Sequence, residues 1–166
     1  MTALEDVKMS HNLYKFLLTV MMLFIGSSGG AWADTTSPKE EVRAVLDQIF
    51  DAMRAGDGTT LRSLILPDTP LDRISPDKPI HHGKDSDWIS WVDSLKPGQA
   101  DEQIFDVKIN IEGPLATAWT PFTIKIDGVL KSCGVNHFTL VKGDAGWKVA
   151  YLIDTHTPEK CGIKEG

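Results

Sequence analysis

Hydrophobic residues recur with a helical period in three segments between residues 38 and 96. The spacing predicts a helix that begins after Ser37 and ends at Gly56, since Ser37 and Glu40 form a capping box and Pro38 suits the first helical position. Its apolar face is formed by Val42, Val45, Leu46, Ile49, Phe50 and Met53. Shorter helices are predicted over residues 59–66 and 86–96. Four prolines between them, in residues 67–84, predict a loop with at most two short strands.

After residue 100 the period changes to two. Phe105, Val107, Ile109 and Ile111 alternate with polar residues and predict a half-buried strand over residues 105–112. Further strands are predicted over residues 115–126, 131–142 and 146–154, with a tight hairpin at Asp127-Gly128. Pro121 marks a bulge or an edge. Helices followed by an antiparallel meander predict an α+β fold, with helices on one face of a sheet and a conical hollow between the layers.

The first 33 residues read as an export signal. Lys8 and Lys15 precede an apolar run over residues 16–25, and the small residues that follow end in Ala31-Trp32-Ala33. We expect a signal peptide over residues 1–33 and one mature domain over residues 34–166, which is 166 − 33 = 133 residues, in the periplasm or secreted. Either Met1 or Met9 is the start. An uncleaved membrane anchor is the alternative, although the run is shorter than the roughly 20 residues that span a bilayer.

Composition and motifs limit the classes of partner, metal and cofactor that the protein could bind. The net charge of −6 argues against nucleic acid and disfavours an anionic membrane surface. Two cysteines exclude a four-cysteine zinc site, and no metal site is predicted. The chain has no Gly-rich phosphate loop, no dinucleotide fingerprint and no Gly-x-Ser-x-Gly, so no cofactor is predicted and serine hydrolase chemistry has no support.

Several segments together resemble the nuclear transport factor 2-like superfamily, in its SnoaL-like and lumazine-binding-like bacterial branch. They are the opening helix over residues 41–46 with its end at 55–57, and the strand segments 118–122, 133–140, 146–149 and 153–155. The resemblance covers about residues 38–161. It implies a cone-shaped, curved sheet of up to six strands around three helices, a pocket at the wide end, and homodimers through the outer sheet face. It assigns no catalytic residue.

Some side chains are candidates for ligand contact. Asn136 shares a strand face with Phe138 and Leu140, so an inward-looking face aims its amide into the hollow, towards either a ligand or a structural partner. The other candidate ligand-binding residues are Trp88, Trp119, Phe122 and Tyr151. Trp88 and Trp91 form either core or a stacking platform. Trp119 lies on the opposite face from its apolar neighbours and lines either the pocket or a dimer interface.

Asp154 and His156 are the candidate catalytic pair. Two positions apart on an extended strand, they point the same way, so the carboxylate can orient the imidazole as a base. The alternative is a strand end in solvent, and no third residue completes a metal site. His81 and His82 lie in the Pro-rich loop, where one of them reaches the pocket mouth or both are solvated. We read His137 as outer face or interface.

Cys133 and Cys161 are predicted to form a disulfide that ties the C-terminal tail to a strand; a reactive thiol is the alternative. The leading functional hypothesis is an exported domain that binds a small apolar or aromatic molecule. The first alternative is an isomerase, dehydratase or hydrolase that uses Asp154 or His156 as base. The second is a pocketless interaction or dimerisation module, which a cavity below about 100 Å³ would favour.

Overall fold

Among the described residues, three helices pack against one side of a sheet. The computed structural model describes residues 36–157 and Cys161, so the predicted signal peptide lies outside the described residues. The helices are α1 (Pro38–Ala55), α2 (Gly58–Ser63) and α3 (Asp85–Asp93). The predicted start and end of α1 are confirmed: the Glu40 N–H donates to Ser37 Oγ at 3.3 Å, the Ser37 N–H donates to Glu40 Oε2 at 2.8 Å, and Gly56 adopts φ 70°.

The face of α1 that carries the helical apolar period forms much of the core. Leu46, Ile49 and Met53 are buried, and the Phe50 ring meets Phe138 of the sheet edge-on at 6.1 Å between centroids. Full burial of each such side chain contributes roughly 1.5–3 kcal/mol. The sequence pattern of α1 therefore fixes which side of the helix faces the sheet.

The two short helices end earlier than predicted. Residue 63 ends α2 because Ile65 leaves the helix and makes a parallel bridge to Val149 in the sheet. The third helix is Asp85–Asp93 rather than residues 86–96, since Ser94, Leu95 and the following Pro97 form its closing turn.

Within residues 36–157 the sheet has seven strands in the order β2-β1-β7-β6-β5-β3, with β4 also paired to β5. It is antiparallel except where β1 runs parallel to β7. The strands are β1 (Pro70–Ile74), β2 (His81–Lys84), β3 (Ala100–Ile104), β4 (Lys108–Glu112), β5 (Leu115–Ile126), β6 (Val129–Gly143) and β7 (Gly146–His156). The predicted α+β class is confirmed, as are two short strands in the Pro-rich segment. The sheet has seven strands where the resemblance implied up to six, because two short strands share one side of β5.

The break between those two strands lies opposite Pro121. Residues 122–126 of β5 pair with β3, and residues 115–119 pair with β4. Between them the Phe105 N–H donates to the Pro121 carbonyl at 3.0 Å, on the side where the proline nitrogen has no hydrogen to give. The prediction of one strand over residues 105–112 is wrong at its start, since Phe105 is exposed and Asp106 adopts φ 48°.

The long hairpins carry the curvature. The bounds of β5 match its predicted span, and Asp127 and Gly128 both adopt positive φ, 52° and 77°, as the hairpin signal requires. The β5–β6 ladder shifts register after Ile124, opposite the extra residue Lys131. The β6–β7 ladder shifts after Thr139, opposite the extra residue Ala150. Each bulge bends its strand and increases the local twist.

The predicted disulfide is confirmed. Cys133 and Cys161 are bonded, with their Cα atoms 5.5 Å apart. Just before the link, the Thr157 N–H donates to the Cys133 carbonyl at 2.9 Å, which extends the β6–β7 pairing towards the tail. Among the described residues, no helix has the length and apolar character needed to cross a membrane.

Candidate functional site

A cavity of about 530 Å³ lies between the helices and the inner face of the sheet. Its volume falls within the 300–1,000 Å³ that is typical of small-molecule sites, so the condition that would favour a pocketless module is not met. Most of its wall is apolar: Phe50, Met53, Leu71, Trp88, Trp91, Ile124, Ile126, Phe138 and Leu152.

Helix α3 places two indole rings on this wall. Trp88 and Trp91 are three residues apart and therefore lie on the same side of the helix. The Asp87 carboxylate accepts a hydrogen bond from the Lys84 N–H at 3.3 Å, which gives this backbone N–H at the start of the helix a partner. Trp91 keeps 37% of its surface exposed, whereas Trp88 is partly buried and also packs against the apolar core. The pair therefore connects the core with the open wall of the cavity.

Two polar side chains face each other on the sheet side of the cavity. Glu102 on β3 and Asn136 on β6 are 8% and 4% exposed, and Asn136 Nδ2 donates to Glu102 Oε1 at 2.7 Å. Strand β5 lies between β3 and β6, and the pleat turns both residues to the inner face. A carboxyl and an amide are thus held side by side in apolar surroundings.

Burial raises the pKa of Glu102 to about 7, because the charged form loses its hydration. The hydrogen bond from Asn136 and the Arg73 guanidinium oppose this effect, and the negative charge of Asp154 adds to it. Glu102 therefore exchanges its proton near neutral pH, as groups at binding and catalytic sites often do.

A second polar group lies at the β1 side of the cavity. Arg73 donates to both oxygens of Asp154, Nε to Oδ1 at 2.9 Å and Nη2 to Oδ2 at 2.7 Å. His156 Nε2 lies 3.3 Å from Asp154 Oδ2, and its ring packs on Phe122 at 5.2 Å between centroids. Burial pushes the pKa of Asp154 up, but His156 and Arg73 together hold it below its usual range. Asp154 is thus a stable carboxylate that can orient His156.

Comparison with known proteins identifies the family of the chain. Residues 37–151, more than half of its length, match the model of a family described as "Putative lumazine-binding". The chain belongs to this family. No curated protein matches the sequence.

Solved structures show the fold of this domain. An NTF2-like protein of unknown function from Shewanella baltica superposes with a TM-score of 0.58 at 18% identity, over 73% of this chain and 94% of the other. One from Cytophaga hutchinsonii gives 0.59 at 16%, over 73% and 99%. A "putative dehydratase from the NTF2-like family" of Streptomyces avermitilis gives 0.58 at 18%, over 72% and 96%. The superfamily resemblance is confirmed. At these identities the likeness shows the fold alone.

The domain brings four of the predicted site residues to the cavity wall: Trp88, Asn136, Asp154 and His156. Trp119 lies on the outer face of the sheet with 48% exposure, 6.2 Å from the His137 ring. Phe122 lies on the inner face of the sheet, but it is 1% exposed and does not line the cavity, because its ring is buried against His156.

Tyr151 does not line the cavity either. Uninterrupted alternation groups it with Trp147 and Val149, but the bulge at Ala150 changes the face, so that Leu152 and Asp154 are the next inward residues. The Tyr151 hydroxyl instead donates to Asp72 Oδ2 at 2.8 Å. The same bulge is what turns Asp154 into the cavity.

Sequence reasoning missed Glu102 and Arg73, and it left open whether His81, His82 or neither reaches the cavity. The alternation of Ala100, Glu102 and Ile104 could have indicated a strand with these residues facing inward. A carboxylate in the middle of that face breaks the apolar pattern by which such a strand is recognised. His81 and His82 lie on β2, where His81 lines the cavity and His82 Nδ1 lies 2.8 Å from Asp72 Oδ1. Within the described residues no group of three His, Cys, Asp or Glu side chains is arranged to hold a metal ion.

Proposed function

We propose that the domain binds a small, flat, aromatic molecule in the cavity. One observation carries this proposal: an apolar cavity of about 530 Å³ has two indoles on one wall and the buried Glu102–Asn136 pair on another. An aromatic ring that packs on an indole gains roughly 0.5–1.5 kcal/mol beyond its burial. The polar pair supplies the few fixed hydrogen bonds that orient a ligand in an apolar site. The family description names lumazine, a flat heterobicycle with polar edges, and this shape suits such a site.

Native mass spectrometry of residues 34–166, expressed with export, tests the proposal first. A co-purified small molecule supports it, and lumazine titrated against the protein, followed by tryptophan fluorescence, measures affinity. Trp88→Leu should weaken binding by roughly tenfold, which is about 1.4 kcal/mol. Trp119→Leu is the matched control, because that indole lies on the outer face. A protein that purifies bare and binds neither lumazine nor any member of a flat aromatic library would overturn the proposal.

A second candidate function is catalysis of the isomerase, dehydratase or hydrolase type. The observation that favours it is the contact of 3.3 Å between His156 and Asp154, both on the cavity wall. Because Arg73 already engages both oxygens of Asp154, the imidazole of His156 is the group of the two that is left to take a proton from a substrate. The test follows a co-purified molecule by NMR during incubation with the protein. Conversion that stops in His156→Gln supports an enzyme, and a molecule that stays unchanged over days argues for binding alone.

We further infer that the domain is exported to the periplasm or beyond, after cleavage of residues 1–33. The disulfide supports this, since such links persist in oxidising compartments. Cell fractionation with N-terminal sequencing should find a mature chain that begins at Asp34. A full-length chain in the cytosol with two free thiols would contradict it.

A homodimer through the outer sheet face is also proposed. Trp119 is large, half exposed and packed beside His137 on that face, and exposed aromatic surface of this kind marks contact sites. Light scattering should give twice the protomer mass for the wild type and the protomer mass for Trp119→Ser. Identical masses for the two proteins would refute the assignment of this face.

A further inference from the structure

The Glu102–Asn136 pair leaves one oxygen on each side chain available. Asn136 Nδ2 bonds to Glu102 Oε1, while Glu102 Oε2 and Asn136 Oδ1 have no hydrogen-bond partner among the described residues. In that part of the chain no side-chain nitrogen or oxygen is buried without a partner. Both oxygens are therefore reachable from the cavity, because both side chains line it.

These two oxygens have complementary chemistry when Glu102 carries its proton. A carboxylic acid hydroxyl donates, and an amide oxygen accepts. We propose that Glu102 and Asn136 form a subsite for the lactam-type edge of an uncharged ligand, an adjacent carbonyl and N–H. The Glu102 hydroxyl donates to the ligand carbonyl, and Asn136 Oδ1 accepts from the ligand N–H. This inference rests on the proposed binding function and specifies the class of ligand.

The surroundings favour an uncharged partner over a cation. Arg73 and Asp154 are the charged groups that act on Glu102, and because their charges are opposite, their effects on its pKa oppose each other. From α1, Arg54 Nη2 lies 3.4 Å from the Glu102 backbone oxygen. Burial then decides the state of the acid, and it favours the neutral form, whose pKa of about 7 keeps the hydroxyl present up to neutral pH.

Other titratable groups also face the cavity, and the test separates them from Glu102. They are Asp72, His81, Lys84, Asp87, Lys131 and His156. Glu102→Gln keeps all of them, and its amide supplies a donor and an acceptor that do not titrate. Any pH dependence left in that variant belongs to the other groups.

The experiment uses two neutral probes, 2-quinolinone and N-methyl-2-quinolinone. They share the flat bicycle, and the second lacks the N–H. Binding to the mature protein is measured by calorimetry at about pH 5.5 and about pH 8.5. With a pKa of about 7, the protonated fraction falls from roughly 97% to roughly 3%, so the wild type should bind 2-quinolinone roughly 30-fold more weakly at the higher pH. Glu102→Gln should show no such change, and the N-methyl probe should bind at least about tenfold more weakly to both proteins.

Each other outcome has its own meaning. Equal binding of both probes, independent of pH, overturns the lactam subsite and leaves the aromatic-binding function standing. Affinity that rises with pH shows that the carboxylate is the binding form and also overturns it. Failure of both probes and of the flat aromatic library overturns the function and the subsite together. If Glu102→Gln fails to fold, the comparison of the two probes on the wild type at about pH 5.5 still tests the subsite, because only 2-quinolinone carries the N–H that Asn136 Oδ1 accepts.

Discussion

Replacing both cysteines, Cys133→Ser with Cys161→Ser, removes the covalent link at the open end of the β6–β7 hairpin, beside the pairing of Gly134 with His156. The two cysteines are 28 positions apart. Holding a loop of that length closed in the unfolded chain costs entropy worth roughly 3.5 kcal/mol at about 25 °C. In a domain of this size, that loss lowers Tm by about 10–17 °C.

Urea unfolding followed by tryptophan fluorescence measures the loss. Wild type with reductant should match the double variant, and reductant should leave the double variant unchanged. The hydrogen bond from the Thr157 N–H to the Cys133 carbonyl persists in both, so the difference reports the link and not the local pairing. Oxidised and reduced wild type that unfold at the same urea concentration would refute the reasoning, because the link would then restrict nothing in the unfolded chain.

Three further changes test the site and its strands. Glu102 has a folded pKa above its unfolded value, so its stabilising effect is full below about pH 4.5 and is lost as pH rises to about 7. In urea titrations the free energy of unfolding of Glu102→Gln should therefore rise relative to that of the wild type, by up to about 3 kcal/mol across that range. Free energies of unfolding that change in parallel with pH in the two proteins would contradict this. Asp154 has a lowered pKa, so the stability that it provides is present above its unfolded pKa and is lost in acid. Asp154→Asn should lower the free energy of unfolding by about 1–2 kcal/mol at about pH 6 and by less at about pH 3. A loss that is the same at both pH values would argue against the ion pair. A Cβ on Gly134 would overlap the Thr155 carbonyl oxygen, so Gly134→Ala should cost about 1–3 kcal/mol in thermal unfolding while Gly143→Ala, in open space on the same strand, stays near wild type.

Local signals explain what the sequence predicted well. The bounds of α1 follow from Ser37, Glu40 and Gly56, each of which acts within one turn of the helix end. The span of β5 follows from its alternation and from the turn residues Asp127 and Gly128. Neither needs knowledge of a distant partner.

The rest depends on contacts that are distant in sequence. Strand β3 has Ala100 and Glu102 as its buried residues, so its inward face lacks the apolar alternation that marks a strand. Glu102 is held inside by pairing with β5 and by Asn136, 34 residues away. Tyr151 was misplaced because a bulge changes which face a residue takes, and nothing in the residues around Ala150 announces it.

The interruption opposite Pro121 affects the tendency of the protein to aggregate at high concentration. One rim of the sheet is divided into two strands of five residues each, separated by Asp106 in a left-handed conformation, and the opposite rim, β2, has four residues. Unpaired rims of this kind are the templates on which β-proteins join into aggregates, and short or kinked rims resist such growth. The same proline that interrupts a continuous ladder therefore protects the sheet against edge-to-edge polymerisation.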